Sequence, residues 1–196
     1  FVKLFNNVNP SWIEKYKDDI IKEPIIKKSN DNYTFHFIGN IDDTRKGLHL
    51  LLGASKKLLD NNYKVVIKII GSGKLLDKYR DEYKDYPTIS FLGYLPNPMK
   101  ELKESDLLIV PSLADSFPNT IMEALYLEIP VIGSKKGGIP EMLEYDELLF
   151  EANVDSLYDK LYEIINNSSL EELRQLCIKR KKILTFNWAE KIKELL

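Results

Sequence analysis

Short runs of β-branched and aromatic residues alternate along most of the chain with longer runs whose apolar residues recur at helical spacing. The short runs predict six strands, at residues 33–39, 64–70, 88–92, 107–110, 130–133 and 147–150. The longer runs predict helices at 46–60, 74–83, 99–104, 118–127, 139–143, 154–166 and 170–182. Strands that alternate with helices pair in parallel, with helices covering both faces of the sheet. The pattern therefore predicts an α/β fold, a Rossmann-like three-layer sandwich with a roughly six-stranded parallel sheet.

The two ends of the chain fall outside this alternation. Residues 1–30 have no strand pattern and are predicted to be a linker with a short helix near 10–20. The sandwich is expected to occupy 31–185, and 186–196 are predicted to form a C-terminal helix. The first residue is Phe rather than Met, and we interpret the chain as a processed or excised fragment.

Composition argues against several classes of protein. With 28 Lys and Arg against 30 Asp and Glu, the net charge of −2 argues against a dedicated nucleic-acid-binding domain. No apolar run approaches the ~20 residues of a membrane-spanning helix, and the N-terminus lacks the apolar stretch of a signal peptide. Cys177 is the only cysteine, which favours a reducing compartment and hence a cytoplasmic protein. His36 and His49 are not at metal-ligand spacing and no Asp-x-Asp occurs, so no metal is expected.

Ligands of such sheets bind beyond the carboxyl ends of the strands, so the loops at that edge are the candidates. The first is Asp43-Thr44-Arg45-Lys46-Gly47, at the predicted start of a helix. Unpaired amides at a helix N-terminus, with the charges of Arg45 and Lys46, favour an anion such as a diphosphate. The alternative is a solvated first turn capped by Asp43 or Thr44.

The second candidate is Gly71-Ser72-Gly73-Lys74, where two glycines allow the backbone to approach a ligand closely. Position 76 is Leu, so the dinucleotide fingerprint is absent, and the P-loop spacing is absent too. By itself this segment indicates no more than a strand-to-helix turn.

The third candidate is the stretch from Pro111 to Glu123, which follows an apolar strand and contains Asp115 in its loop. Asn119 and Glu123 are four residues apart and share one face of the predicted helix. Two carboxylates with helix-start amides can bind the hydroxyls of a polar ligand. The alternative is that Asp115 caps the helix and Glu123 is a surface charge, although apolar residues flank Glu123 on both sides.

The fourth candidate is the loop from Gly133 to Glu141, in which Gly137 and Gly138 would offer free amides. The alternative is a flexible loop with solvated lysines. The basic run 179–182 is interpreted as a solvated helix end, or as a contact with a membrane surface.

In this order, these segments resemble the donor-binding half of the GT-B glycosyltransferases, in particular the retaining glycosyltransferase group 1 family. Each motif is short, but the ordered set is specific and covers nearly the whole chain. The matching segments are 6–9, 45–47, 70–73, 91–95, the E-x7-E-like stretch 115–123, 137–141 and 186–188.

The resemblance implies a role for each matching residue. Lys46, with Arg45, would hold the diphosphate, Glu123 would accept hydrogen bonds from the ribose hydroxyls, and Asp115 would contact the transferred sugar. Further donor contacts would come from Gly71, Gly73, Gly93, Tyr94, Leu95, Phe117, Pro118, Asn119 and Thr120. Cations and amide dipoles would stabilise the leaving nucleoside diphosphate, so neither a metal nor a cofactor is implied.

Two positions depart from the family pattern. The first carboxylate is Asp115 rather than the commoner Glu, which shortens its reach by one methylene. Position 40 is Asn where many members carry an Arg that binds phosphate, and Arg45 is expected to compensate.

The resemblance also implies partners. The first GT-B domain, which carries the acceptor site, is not in this sequence, so the chain is expected to bind a nucleotide-diphosphate sugar but to transfer little sugar alone. The expected process is synthesis of a cell-surface polysaccharide or glycoconjugate, with possible peripheral contact at the inner face of the cell membrane. The alternatives are a non-catalytic nucleotide- or sugar-binding module and another GT-B enzyme, such as a sugar-nucleotide epimerase or a phosphorylase. A Rossmann dehydrogenase is disfavoured because its fingerprint is missing.

Overall fold

The computed structural model describes residues 31–42 and 44–184; the predicted linker 1–30 and C-terminal helix 186–196 lie outside the described residues. The strands are β1 (Tyr33–Ile38), β2 (Val65–Ile70), β3 (Ile89–Gly93), β4 (Leu107–Val110), β5 (Val131–Ser134) and β6 (Leu149–Phe150). The helices are α1 (Leu48–Asp60), α2 (Leu76–Glu82), α3 (Met99–Leu102), α4 (Asn119–Leu127), α5 (Ile139–Leu143), α6 (Val154–Asn167) and α7 (Leu170–Leu184). None of the helices within these ranges is both long and apolar enough to cross a membrane.

The six strands form one parallel sheet in the order β3-β2-β1-β4-β5-β6, which confirms the predicted Rossmann-like fold. Every residue of β4 and β5 is buried, because helices cover both faces of the sheet. Helix α1 packs with α6, and α7 packs with both α4 and α5. The strand order reverses between β1 and β4, and this reversal opens a crevice at the carboxyl edge of the sheet.

The predicted helix 46–60 begins two residues late. Thr44–Lys46 form a separate 3-10 turn, and α1 begins at Leu48 after Gly47. Gly47 has a left-handed φ of 71°, and a Cβ on it would lie 1.9 Å from the Pro111 carbonyl oxygen. This close approach breaks the helix, so Arg45 and Lys46 lie in the turn before α1 rather than in its first turn.

The interpretation of 179–182 as a solvated helix end is wrong for two of its residues. Arg180 is 3% exposed, and its Nε donates to the Met142 carbonyl at 2.8 Å. Lys181 Nζ donates to the Tyr126 carbonyl at 2.9 Å. The helical repeat turns both side chains toward the carboxyl ends of α4 and α5, where they satisfy backbone carbonyls that lack intrahelical partners.

His36 lies at the centre of β1 and is fully buried, as its place in a predicted strand indicates. Among the described residues, neither of its ring nitrogens has a hydrogen-bond partner, and Nε2 is 3.8 Å from Glu101 Oε1. That carboxylate accepts a hydrogen bond from Lys68 Nζ at 2.5 Å. Burial, with the nearby Lys68 charge, lowers the pKa of His36 to about 4.

We expect His36 to make folding pH-dependent. Between pH 6.5 and about pH 4 this residue is protonated in the unfolded chain but not in the folded protein, so the free energy of unfolding falls as the pH is lowered through this range. Between pH 7 and 5 this loss should be about 2 kcal/mol, and His36→Met, of similar volume, should remove it. Urea denaturation at pH 7, 6 and 5 measures the effect. The control is His49→Met, at an exposed histidine of α1, which should keep the wild-type pH dependence. An unchanged slope in His36→Met would contradict the assignment.

Candidate functional site

Two adjoining cavities occupy the crevice beyond the carboxyl ends of β1, β2 and β4. The first, of about 240 Å³, lies between the ends of β1 and β4, and the second, of about 280 Å³, extends toward the segment after β3. Ile38, Gly39 and Asn40 line both cavities, so the two form one continuous groove. Its position at the reversal of strand order is the usual ligand site of a doubly wound sheet.

The first cavity contains an ion pair between two predicted site residues. Lys46 Nζ donates to Asp115 Oδ2 at 2.6 Å. The Asp115 side chain is 12% exposed and that of Lys46 is 33% exposed. The Phe117 amide donates to the other carboxylate oxygen of Asp115 at 3.3 Å. The structure thus brings together residues 69 positions apart in the sequence, as the resemblance implies.

Helix α4 directs its N-terminus into the same cavity. Pro118, Asn119 and Thr120 line the wall, and Pro118 is the N-cap residue rather than the predicted first helical residue. Pro118 makes no side-chain cap to this helix. First-turn amides have no partners within their own helix and carry partial positive charge, so this wall together with Lys46 favours an anion.

The Asp115 loop is fixed by the glycines of the 133–141 segment. The Gly138 amide donates to the Asp115 carbonyl at 2.9 Å. A Cβ on Gly137 would lie 2.1 Å from that oxygen, and one on Gly138 would lie 1.9 Å from the Ser116 carbonyl oxygen. The prediction that this glycine pair offers free amides is therefore wrong for Gly138, whose amide holds the loop that carries Asp115.

The second cavity combines backbone groups with an exposed aromatic ring. It is lined by Gly71, Ser72, Tyr94 and Leu95 of the predicted segments, together with Pro98. The Gly71 amide donates to the Gly93 carbonyl at 2.8 Å, which ties the two loops together. Tyr94 is 71% exposed, and an exposed ring face beside polar backbone can stack against a planar aromatic ligand such as a nucleobase.

The turn that contains Gly73 is engaged by Asp42, a residue that the sequence analysis missed. A Cβ on Gly73 would lie 2.7 Å from Asp42 Oδ1. That oxygen accepts hydrogen bonds from the amides of Lys74 and Leu75, the latter at 3.3 Å. Asn40 Oδ1 in turn accepts from the Asp42 amide at 2.8 Å. An Asn-x-Asp pattern after a strand was the available signal, since such side chains often bind nearby amides.

Glu123 lies one turn beyond Asn119 on α4 and is half-buried. Burial raises the pKa of its carboxyl to about 7. Within residues 31–42 and 44–184, no hydrogen bond or ion pair engages this carboxylate. Its burial disfavours the interpretation as a solvated surface charge.

Not every predicted residue lines the two cavities. Arg45, Gly73, Gly93, Phe117 and Glu123 are not among their lining residues. Ser72, Pro111 and Ser112, which belong to the predicted candidate segments, do line the cavities. In the described part of the chain, no group of three His, Cys, Asp or Glu side chains is arranged to hold a metal ion.

Known relatives of the chain are glycosyltransferases. It is 26% identical over 179 residues to the capsular polysaccharide biosynthesis glycosyltransferase CapM of Staphylococcus aureus, covering 86% of this chain and 46% of that protein. It is 26% identical over 185 residues to the Escherichia coli UDP-Gal:alpha-D-GlcNAc-diphosphoundecaprenol alpha-1,3-galactosyltransferase, covering 89% of this chain and 47% of that protein. The chain therefore spans about half the length of these curated relatives.

Solved structures show the same fold. Sucrose-phosphate synthase from Thermosynechococcus elongatus superposes with a TM-score of 0.71 at 21% identity, over 85% of this chain and 45% of the synthase chain. HepE of Anabaena, solved with UDP and glucose, gives a TM-score of 0.68 at 18% identity, over 96% of this chain and 52% of its own. These likenesses show the fold of a GT-B glycosyltransferase domain.

The family model described as "Glycosyl transferases group 1" matches residues 18–183. This range contains both cavities and the Lys46–Asp115 pair. The chain belongs to the group 1 glycosyl transferases.

Proposed function

We propose that the chain is the donor-binding domain of a retaining glycosyltransferase, which transfers a sugar from a nucleotide-diphosphate sugar to an acceptor. One observation carries the proposal: Lys46, Asp115 and the N-terminus of α4 meet in one cavity, which adjoins a second cavity beside exposed Tyr94. A cation with helix amides suits a diphosphate, a carboxylate suits sugar hydroxyls, and an aromatic ring suits a base.

The diphosphate would bind Lys46 and the first-turn amides of Asn119 and Thr120. Arg45, in the same 3-10 turn as Lys46, is exposed and would approach the phosphates from outside. When the bond to the sugar breaks, negative charge grows on the leaving phosphate. Fixed positive charge and amide dipoles stabilise it there without a metal or a cofactor.

The nucleoside would occupy the second cavity, and the sugar the space beside Asp115. Tyr94 would stack on the base, and the backbone of 93–95 and Gly71 would meet its edge. Gly73 would support that turn, and Phe117 and Pro118 would hold the sugar-binding loop. Glu123 shares the Asn119 face of α4 and lacks a partner in the described residues, which suits a group that accepts hydrogen bonds from the two ribose hydroxyls.

The acceptor would bind in an N-terminal domain that precedes the linker 1–30, with 31–185 as the donor-binding domain and 186–196 as a C-terminal helix. Relatives named for capsular polysaccharide and for a diphosphoundecaprenol-linked acceptor support a role in cell-surface polysaccharide synthesis. Such a role would place the protein in the cytoplasm, with peripheral contact at the inner face of the membrane.

Binding of a nucleoside diphosphate should depend on Lys46. We expect one of UDP, GDP and ADP to bind saturably with or without EDTA, and NAD not to bind. Lys46→Met should weaken binding about tenfold or more, since it removes a charge-assisted hydrogen bond to phosphate. Isothermal titration calorimetry measures both. The matched control is Lys78→Met, at an exposed lysine of α2 outside both cavities. Equal affinity in the two variants would contradict the assignment.

Donor binding should release a proton from Glu123. The carboxyl, with a pKa of about 7, is largely protonated at pH 6, whereas ribose hydroxyls bind best to the carboxylate. Affinity for an intact nucleotide-diphosphate sugar of whichever base binds should therefore rise between pH 6 and 8, by up to about tenfold, and Glu123→Gln should flatten the profile. The intact donor is the right probe because it lacks the phosphate monoester that itself titrates near pH 6.

Calorimetry of the same donor in buffers of different ionisation enthalpy measures the released proton directly. Wild type should release nearly one proton per bound donor at pH 6 and about half a proton at pH 7, and Glu123→Gln should release none. A pH profile that is identical in both proteins would exclude Glu123 from the donor site.

Transfer should require the proposed acceptor domain. We expect the 196-residue chain to bind donor without forming product. A protein that joins it to the acceptor domain should transfer the sugar with its anomeric configuration retained, as judged by NMR of the product. Robust transfer by the chain alone, or an inverted product, would contradict this part of the proposal.

A further inference from the structure

Lys46 and Asp115 form an ion pair with each other, although the proposed function assigns them to two different parts of the donor. Lys46 would bind the diphosphate and Asp115 would bind the sugar, yet the two side chains bind each other at 2.6 Å. The donor cannot engage both residues fully unless this pair is loosened.

We infer that Asp115 competes with the diphosphate for Lys46, and that this competition makes the site select an intact nucleotide-diphosphate sugar over the free nucleoside diphosphate. The inference rests on the proposed function and assigns Asp115 a second task, as a specificity-determining residue. Asp115 would weaken binding of the free nucleoside diphosphate and would also bind the sugar of the intact donor.

The selection follows from what each ligand offers to Asp115. A diphosphate would draw Lys46 away and leave a carboxylate that is only 12% exposed, with the Phe117 amide at 3.3 Å as its remaining hydrogen-bond donor among the described residues. A largely buried charge without sufficient partners is unfavourable. An intact donor brings sugar hydroxyls that can donate to Asp115 and replace Lys46, whereas the free nucleoside diphosphate brings none.

Backbone hydrogen bonds hold the loop that carries Asp115, so its carboxylate cannot move away from Lys46 to reach solvent. Its carbonyl accepts the Gly138 amide at 2.9 Å, and the Leu113 amide donates to the Arg45 carbonyl at 2.6 Å. The loop that carries Asp115 is thereby tied both to the glycine pair and to the turn that carries Lys46. Once transfer has removed the sugar, Asp115 can form its ion pair with Lys46 again, which favours release of the nucleoside diphosphate.

A double-mutant cycle with free nucleotide tests the inference. UDP, GDP and ADP, and then UDP-galactose, UDP-glucose and GDP-mannose, are titrated into wild type, Asp115→Asn, Lys46→Met and the double variant. Asp115→Asn should tighten binding of the free diphosphate by about fivefold, because Lys46 is released to bind it. In the Lys46→Met background the same change should alter affinity less than about twofold, since only general charge repulsion remains.

Two further readouts sharpen the test. The preference of wild type for intact donor over free diphosphate should shrink in Asp115→Asn. The matched control is Asp146→Asn, which removes the same charge and one of the two carboxylate partners of Lys135; Lys135 Nζ lies 3.1 Å from Asp146 Oδ1, outside both cavities. It should leave nucleotide affinity unchanged.

The outcomes separate this inference from the proposed function. If a diphosphate binds wild type but Asp115→Asn binds it equally or more weakly, the competition is overturned while the donor-site proposal stands. If Asp115→Asn tightens binding of the diphosphate by the same factor in wild type and in Lys46→Met, the competition is overturned as well. If neither nucleotides nor nucleotide sugars bind the folded chain, the proposed function fails and the inference fails with it.

Discussion

Backbone-to-backbone contact at the carboxyl edge of the sheet is the constraint on which the site depends. Gly47 lies against the Pro111 carbonyl, Gly71 against the Gly39 carbonyl, and the Gly137-Gly138 pair against the carbonyls of Asp115 and Ser116. At these glycines a Cβ would lie between 1.9 and 2.1 Å from an oxygen, so no other residue type fits without moving a loop. These contacts hold the loops after β1, β4 and β5 at fixed separations. The side chains on these loops therefore lie at fixed positions relative to one another.

Helix α7 holds the carboxyl ends of α4 and α5, at the side of these helices away from the cavities. Arg174 donates through Nε to the Glu128 carbonyl after α4, and Arg180 donates to the Met142 carbonyl of α5. Both arginines are nearly buried, and each also reaches a carboxylate, Glu128 and Glu144 respectively. Helix α4 is therefore fixed at its carboxyl end by α7, while its N-terminus faces the cavity with no side-chain cap. The dipole of a helix anchored in this way has a fixed direction relative to Lys46.

Local patterns were sufficient to predict the sheet and most helix positions, because β-branched runs and helical spacing report burial directly. They also predicted which residues gather at the edge, since parallel strands bring their following loops together: Lys46, Asp115 and Asn119 do line one cavity. What escaped prediction depends on contacts between distant segments. The Asp42 bond to the Lys74 amide, the bond between Gly138 and Asp115, and the burial of Arg180 each join residues whose proximity exists only in the folded chain.

The negative charges of the two site carboxyls are offset in two different ways, one through a distant residue and one through local burial. Asp115 and Glu123 belong to one short segment, and two unmasked carboxylates would repel a diphosphate entering beside them. The charge of Asp115 is offset by Lys46, which lies on a different loop, whereas burial beside apolar neighbours raises the pKa of Glu123 to about 7. In the proposed donor site, a different part of one ligand would engage each carboxyl: the diphosphate would draw Lys46 away from Asp115, and hydroxyl donors would favour the ionised form of Glu123. Under the proposal, a ligand that carries phosphate, ribose and sugar together would supply a partner to both carboxyls, whereas a free nucleoside diphosphate would leave Asp115 without one.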